Sequence, residues 1–178
     1  HWEDKMAKVL DGIRMLDVST WHNGTAGGYM LADLGAEVVK VEPLEGDPYR
    51  TFESALGGQD AGPSAASPFF ESANRGKKSV ALDLSKDEGR AVFYRLVEVA
   101  DVFHTNYTER VLNNLRIDWP TLHARNPRLI YARATGYGSR GPLSQVRGFD
   151  TTIQARSGIM WAVGDRDHDE PWQVMGGI

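Results

Sequence analysis

Apolar and polar positions along the chain alternate between two periods. Residues 13–18 and 38–42 are short runs rich in Val, Leu and Ile, and each run predicts a β-strand. Residues 24–34, which lie between them, carry small and apolar side chains at helical spacing. A strand, a helix and a second strand in such close succession form a βαβ unit, in which the two strands run parallel.

The same alternation continues along the rest of the chain. Further strands are predicted over residues 79–84, 101–104 and 128–133, and further helices over residues 86–99 and 150–160. One or two short helices are predicted over residues 111–125. The predicted fold class is therefore α/β, with a Rossmann-like, mostly parallel sheet flanked by helices. Residues 43–68 are rich in Gly, Pro, Ser and Asp without clear periodicity, which predicts a long loop that is either functional or disordered.

Composition excludes several classes of function. The 178 residues contain no cysteine, so a disulfide scaffold, a cysteine nucleophile and a thiolate metal site are all excluded. The five histidines lack metal-ligand spacing, and we expect no metal. The 20 Lys and Arg against 24 Asp and Glu give a net charge of −4, which argues against a nucleic-acid partner. No apolar run approaches the roughly 18 residues of a membrane span, so we also expect no membrane partner.

The segment after the first predicted strand, residues 20–28, reads TWHNGTAGG and leads into the first helix. Glycines in such a turn let the backbone approach a ligand, and a helix N-terminus favours an anionic group. The spacing is not the GxGxxG of dinucleotide-binding proteins, although Glu42 ends the second strand where a ribose-binding acid would lie. A nucleotide-type ligand, a nicotinamide cofactor and a plain tight turn therefore all stay open.

Other candidate residues lie beside predicted strands. The cation cluster 74–78 (NRGKK) precedes a strand and is either a phosphate grip or a solvated turn. Asn106 and Tyr107 follow a strand, where the aromatic ring either stacks on an adenine or packs in the core. Asp17 and Asp150 are interpreted as structural residues, the first as an internal hydrogen-bonding group and the second as a helix cap.

Five segments occur in a characteristic order: LDGIRMLDVS (residues 10–19), LADLGAEVVKVEP (31–43), NRGKKSVALDL (74–84), NPRLIYARATGYGSRGP (126–142) and GFDTTIQARSG (148–158). Taken together they resemble the N-terminal part of the class III CoA-transferase family, which includes formyl-CoA transferase, carnitine CoA-transferases and α-methylacyl-CoA racemase. The resemblance implies a protein longer than this chain, with a Rossmann-like large domain and a smaller domain. It also implies a cytoplasmic, interlinked homodimer.

The family transfers coenzyme A from an acyl-CoA donor to a carboxylate acceptor. An aspartate attacks the donor thioester, and a mixed anhydride and then an aspartyl-CoA thioester form. By the family pattern this aspartate would come just after Ile178, so no residue of the chain is nominated as catalytic. We therefore expect residues 6–178 to be an incomplete CoA-binding large domain that is inactive alone, and residues 1–5 to be a tag or linker remnant.

Carried over by position, the resemblance implies four sets of contacts with CoA. The backbone of Trp21 and His22 would lie against CoA, and its phosphates would be contacted by Asn74, Arg75, Gly76 and Lys77. The adenine or ribose of CoA would be contacted by Asn106 and Tyr107. The path toward the thioester would be lined by Arg147, Gly148 and Phe149. Phe149 stands where the racemase branch has a histidine, which disfavours a racemase. A non-catalytic CoA-binding module, one subunit of a split enzyme and a nicotinamide-dependent oxidoreductase remain as alternatives.

Overall fold

The computed structural model describes residues 8–51, 67–165 and 170–174. The chain divides into two compact units, His1–Ala134 and Thr135–Ile178. Residues 1–5, predicted to be a tag or linker remnant, lie outside the described residues, and so does most of the predicted loop over residues 43–68.

The first unit contains a five-stranded parallel sheet. Its strands are β1 (Arg14–Val18), β2 (Glu37–Glu42), β3 (Lys78–Ala81), β4 (Val102–Thr105) and β5 (Ile130–Arg133). Their order is β3-β2-β1-β4-β5, and each neighbouring pair runs parallel. The strand order therefore reverses between β1 and β4, as it does in doubly wound folds. The predicted α/β class with a parallel sheet is confirmed.

Helices connect the strands and follow the sheet. They are α1 (Trp21–Asp33), α2 (Pro68–Asn74), α3 (Asp87–Val99), α4 (Glu109–Leu115), α5 (Trp119–His123), α6 (Asp150–Ser157) and α7 (Ile159–Ala162), with a 3₁₀ turn at Pro48–Arg50. Local caps define several of these boundaries. Ser67 Oγ accepts from the Phe70 amide at the start of α2, and Asp118 Oδ1 accepts from the Thr121 amide at the start of α5.

Three predicted elements differ from the structure. The segment 20–28 is not a turn that precedes a helix, because α1 already begins at Trp21 and contains its glycines. The helix α2 was not predicted, since its seven residues are too few to show a helical period. The helix predicted over 150–160 is two helices, because Gly158 adopts a φ of +78° and ends α6.

One face of the sheet is apolar. Because side chains alternate along a strand, Leu16 and Val18 of β1 point to the same face. They belong to a buried cluster with Phe93 and Val97 of α3. The cluster is completed by Val41, Leu84, Ala100, Phe103, Leu112, Ile117, Leu122 and Leu129. Helices α3, α4 and α5 therefore cover this face, which we call the apolar face.

The opposite face lies under α1 and is largely polar toward the carboxyl ends of the strands. At its other end Met15 and Val38 pack with Leu31 and Ala32 of α1. One row across the sheet then consists of Ser79, Lys40, Asp17 and His104, which are register neighbours on β3, β2, β1 and β4. We call this side of the sheet the polar face.

The second unit contains α6 and α7. Gln154 of α6 is buried, and its side-chain amide bonds both the amide and the carbonyl of Val174. Asp150 lies in the first turn of α6 and accepts from Gln154 Nε2 at 2.8 Å, while Phe149 occupies the cap position. A membrane-spanning helix, long and apolar enough to cross a bilayer, does not occur in the part of the chain that the structure describes.

Candidate functional site

The segments that follow β1 and β4 meet where the strand order reverses. Asn106 accepts a hydrogen bond from the Thr20 amide at 3.1 Å and donates one to the Thr20 carbonyl at 2.7 Å. Open α/β sheets bind ligands at such a reversal, outside the carboxyl ends of the strands. The structure therefore brings together two of the predicted contact sets, Trp21 with His22 and Asn106 with Tyr107.

Trp21 begins α1 with an unusual backbone conformation. Its φ is +61°, in the left-handed region that strains residues other than glycine. The Trp21 amide donates to Asp47 Oδ1 at 3.4 Å, and the indole lies edge-on to the Tyr49 ring with centroids 5.6 Å apart. The His22 ring lies 6.1 Å from the same Tyr49 ring. The segment after β2 thus holds both residues at the start of α1.

The N-terminus of α1 has the chemistry to receive an anionic group. A helix of 13 residues carries partial positive charge at its N-terminus, and the first turn of α1 contains no acidic side chain. Amides of a first helical turn also lack partners within the helix. Because the Trp21 amide already donates to Asp47, a phosphate or carboxylate at the start of α1 would be stabilised by the other amides of the first turn.

Two glycines inside α1 let side chains of the polar face approach the helix closely. A Cβ on Gly24 would lie 2.5 Å from Asn106 Nδ2, and a Cβ on Gly28 would lie 2.8 Å from Asp17 Oδ2. The sequence predicted that these glycines open the backbone to a ligand. In the structure Gly24 makes room for Asn106 and Gly28 makes room for Asp17.

Asp17 and Lys77 form a buried ion pair under α1. Lys77 Nζ lies 2.6 Å from Asp17 Oδ2 and also donates to the Thr25 carbonyl and to Asn74 Oδ1. Burial raises the pKa of Asp17, but the contacts with His104, Lys77 and Lys40 outweigh it and hold that pKa below the usual value. Asp17 is thus an ionised internal partner, in agreement with its interpretation as structural.

A second buried ion pair lies beside the first. Lys40 Nζ is 2.7 Å from Asp47 Oδ2, with both side chains almost fully buried, and it also donates to the Ser19 carbonyl at 2.8 Å. The Asp47 amide in turn donates to Glu42 Oε2 at 2.9 Å. These contacts link β2 to the segment that follows β1.

Glu42 is saturated by internal partners. Arg50 donates to both carboxylate oxygens at 2.7 and 2.8 Å, and Ser79 donates to one of them at 2.6 Å. Burial raises the pKa of Glu42, but the bonds from Arg50, Ser79 and the Asp47 amide lower it to about 2. The carboxylate is therefore used within the fold, and the only residue that favoured a nicotinamide ribose has another role.

Tyr107 lies beside Asn106 and packs partly against the apolar cluster. Burial, with the negative charges of Asp47 and Asp17, raises its pKa to about 12, so the phenol is neutral at physiological pH. Both alternatives foreseen for this ring, packing and contact with a ligand, are compatible with a partly buried position.

The cation cluster 74–78 lies along α1 rather than at its N-terminus. Asn74 is buried and Lys77 directs its ammonium into the polar face, so the cluster is not simply a solvated turn. Arg75 lies over the Tyr29 ring at 3.9 Å and pairs with Asp33 at 2.6 Å, near the end of α1. The contacts that Lys77 and Arg75 make with α1 therefore fall between Thr25 and Asp33, beyond Trp21 and His22.

Arg147, Gly148 and Phe149 belong to the second unit. Gly148 approaches another backbone closely, because a Cβ on it would lie 2.8 Å from Gly136 Cα. Arg147 and Phe149 are exposed. Across both units, the described residues contain no group of three or more His, Asp or Glu side chains arranged to hold a metal ion.

Comparison with known proteins identifies the family. The model of CoA-transferase family III matches residues 10–177. The chain belongs to CoA-transferase family III. The acetyl-CoA:oxalate CoA-transferase of Acetobacter aceti is 42% identical over 160 residues, which is 89% of this chain and 39% of that enzyme. The succinyl-CoA:glutarate CoA-transferase of Homo sapiens is 36% identical over 163 residues, 91% of this chain and 36% of that enzyme.

The fold of this chain also matches that of solved structures. A crystal structure of a CAIB/BAIF family protein from Brucella suis matches with a TM-score of 0.85 and 35% identity. The match covers 97% of this chain and 45% of that protein. The chain therefore spans less than half the length of the family III relatives named here.

Sequence reasoning missed three residues of the arrangement around the start of α1: Lys40, Asp47 and Tyr49. Two signals were present. Lys40 and Glu42 are charged residues two positions apart in one strand of a parallel sheet. The sequence of such a strand is usually a continuous apolar run. Asp47 precedes Pro48, a pair typical of the start of a helical turn. Neither signal indicates that Asp47 contacts Trp21, because that contact joins segments far apart in sequence.

Proposed function

We propose that this chain is the acyl-CoA-binding part of an enzyme that transfers coenzyme A from an acyl-CoA donor to a carboxylic acid acceptor. The observation that carries the proposal is the joining of Thr20 and Asn106 at the strand reversal, in a chain of CoA-transferase family III. The relatives named above are transferases for short carboxylates, which points to donors such as acetyl-CoA or succinyl-CoA.

The residues at the reversal bind the CoA moiety. The backbone of Trp21 and His22 lies against CoA, and the N-terminus of α1 stabilises its negative charge. Asn106 fixes the Thr20 backbone, and the neutral Tyr107 ring borders the adenine or ribose. All of these are groups that orient the ligand rather than react with it.

The predicted contacts of the other residues are retained with one refinement. Lys77 already uses its three donors within the fold, whereas the Arg75 side chain is half exposed. We therefore expect Arg75, rather than Lys77, to make any phosphate contact from the segment Asn74, Arg75, Gly76 and Lys77. Arg147, Gly148 and Phe149 remain the residues proposed to line the path toward the thioester.

The proposed chemistry is covalent catalysis by an aspartate that is not among the described residues. Its carboxylate attacks the donor thioester carbonyl, which forms a mixed anhydride and expels CoA thiolate. The thiolate then attacks the aspartyl carbonyl of the anhydride, which gives aspartyl-CoA and releases the donor acid. The acceptor carboxylate repeats these steps in reverse and leaves with CoA. We propose that this occurs in a cytoplasmic, interlinked homodimer.

Calorimetric titration with acetyl-CoA tests the binding part of the proposal. We expect saturable binding by the wild-type chain and weaker binding by Asn106→Ala, because that change releases the Thr20 backbone. Asn113→Ala is the matched control, since Asn113 is an exposed asparagine on α4. No binding by the wild type, or equal affinity in both variants, would contradict the proposed site.

Turnover tests the transfer itself. Acetyl-CoA or succinyl-CoA is supplied with oxalate or glutarate, and the CoA products are separated by chromatography. Transfer by this chain together with a second polypeptide that supplies the aspartate, and no transfer by this chain alone, is the expected result. Binding without transfer under both conditions would favour a non-catalytic CoA-binding module.

A further inference from the structure

We propose that Asp47, charge-paired with Lys40, is a positioning residue that presets the backbone of residues 19–21 for CoA. The inference rests on the proposed function and adds to it, because Asp47 is not among the residues expected to touch the ligand. The clamp, as we call it, comprises Lys40, Asp47 and Asn106. Each of the three side chains bonds a different one of three consecutive residues.

The contacts of the clamp are complementary. Lys40 Nζ donates to the Ser19 carbonyl at 2.8 Å, Asn106 bonds both backbone groups of Thr20, and Asp47 Oδ1 accepts from the Trp21 amide at 3.4 Å. Side chains from β2, from the segment after β2 and from the segment after β4 therefore converge on one short stretch of backbone. This stretch is the link between β1 and α1 at the proposed site.

The link needs such support because its backbone is strained. Trp21 has a φ of +61°, which a non-glycine residue retains only when its surroundings fix it. The Asp47 carboxylate is itself fixed: Oδ1 also accepts from the Tyr49 amide at 2.9 Å, and Oδ2 lies 2.7 Å from Lys40 Nζ. Tyr49 completes the arrangement by packing against both Trp21 and His22.

Presetting this link has a consequence for affinity. A segment that is already held in its bound conformation loses less conformational freedom when the ligand binds. Removing the Asp47 acceptor takes away its hydrogen bond to the Trp21 amide. The contacts with CoA must then order the link as well as hold the ligand. Affinity should fall even though no group that touches the ligand has changed.

Two double variants isolate the Asp47 acceptor. Lys40→Met with Asp47→Asn keeps an oxygen that accepts from Trp21, whereas Lys40→Met with Asp47→Leu removes it. Both variants lack the ion pair and the bond to Ser19, so neither leaves an unpaired buried charge. We expect the Kd for acetyl-CoA to be about fivefold weaker in the leucine variant than in the asparagine variant, because the lost oxygen accepts from both the Trp21 and the Tyr49 amides.

Amide hydrogen exchange provides the second readout. We expect the Trp21 amide to exchange faster in the leucine variant than in the asparagine variant, while the Val97 amide in the apolar cluster exchanges equally in both. A purely structural role for Asp47 would lower the melting temperature without separating the two Kd values. Should the leucine variant fail to fold, Lys40→Met with Asp47→Ala replaces it.

The outcomes separate the inference from the proposed function. Faster Trp21 exchange together with weaker binding supports the clamp. Equal exchange in the two variants, or faster exchange with unchanged Kd, overturns it. If the wild type does not bind acetyl-CoA at all, the proposed function fails and the role of Asp47 in binding fails with it, whatever the exchange shows.

Discussion

Strands β1 and β2 contribute to both faces of the sheet, yet the two faces are built from different chemistry. Leu16, Val18 and Val41 pack into a continuous apolar cluster under α3, α4 and α5. On the other side Asp17 and Lys40 form buried ion pairs under α1. Both faces exclude water, and among the described residues the polar face is the one that holds ion pairs with both partners fully buried.

The two faces differ in how closely their contacts fix the position of individual backbone groups. Apolar contacts are non-directional, so the cluster under α3 stabilises the sheet without fixing any one backbone group. Hydrogen bonds and ion pairs have preferred geometry, and those of the polar face end on the link between β1 and α1. The specialised face is the one beside the proposed CoA site.

Of the substitutions that test the two faces, Lys77→Met on the polar face should lower the free energy of unfolding most. It leaves Asp17 buried without its ammonium partner, and breaking one side of a buried pair costs about 3–5 kcal/mol of unfolding free energy. The measurement is urea denaturation followed by circular dichroism. Asp17→Leu combined with Lys77→Met should be more stable than Lys77→Met alone, because no unpaired charge remains. A double variant that is less stable than the single variant would contradict this account.

Leu112→Ala breaks the apolar face. The side chain is fully buried in the cluster, and its truncation should cost about 3 kcal/mol through lost burial and a cavity. Because no charge is involved, the loss should be the same at pH 5 and at pH 8 in urea denaturation. The Kd for acetyl-CoA should not change in conditions where the variant is folded. A weakened Kd would mean that the two faces do not have separate roles.

Alanine substitutions at the adjacent glycines Gly27 and Gly28 of α1 should change stability by smaller amounts and in opposite directions. A Cβ on Gly28 would meet Asp17 Oδ2 at 2.8 Å, so Gly28→Ala should destabilise by about 1–3 kcal/mol. A Cβ on Gly27 has room, with His104 Cε1 at 3.8 Å, so Gly27→Ala should stabilise by about 0.5–1 kcal/mol through helix propensity. Thermal denaturation of both variants checks the signs. Equal effects would show that α1 is not closely packed on the polar face.

The dependence of the unfolding free energy on pH in the acid range should show the smallest difference between the two faces. The pKa of Glu42 falls from 4.5 to about 2 in the folded chain, since Arg50, Ser79 and the Asp47 amide outweigh the opposing effect of burial. A folded-state pKa below the unfolded one gives stability above pH 4.5 that is lost as the pH falls toward 2. Glu42→Gln should therefore flatten the stability curve in that range. Leu112→Ala should keep the wild-type slope, and a wild-type slope in Glu42→Gln would refute the pairing.

The strands could be predicted from sequence because apolar runs and their alternation with helices report local burial. The location of Trp21 and Asn106 could be predicted as well, because each follows a strand and the resemblance placed both near CoA. Lys40 and Asp47 could not, since their roles depend on which face α1 covers and on contacts with Ser19 and Trp21. The start of α1 was also missed, because glycines normally indicate a turn.

Heteronuclear NMR titration with CoA is the most direct test of whether CoA binds at the link between β1 and α1 that the polar face positions. We expect the largest amide shift changes in residues 19–24 and at Asn106 and Tyr107, with small changes in α3. The same titration of the Lys40→Met, Asp47→Leu variant should show the same set of residues at higher CoA concentration. Changes that centre on α3, α4 and α5, or no changes at saturating CoA, would contradict the account.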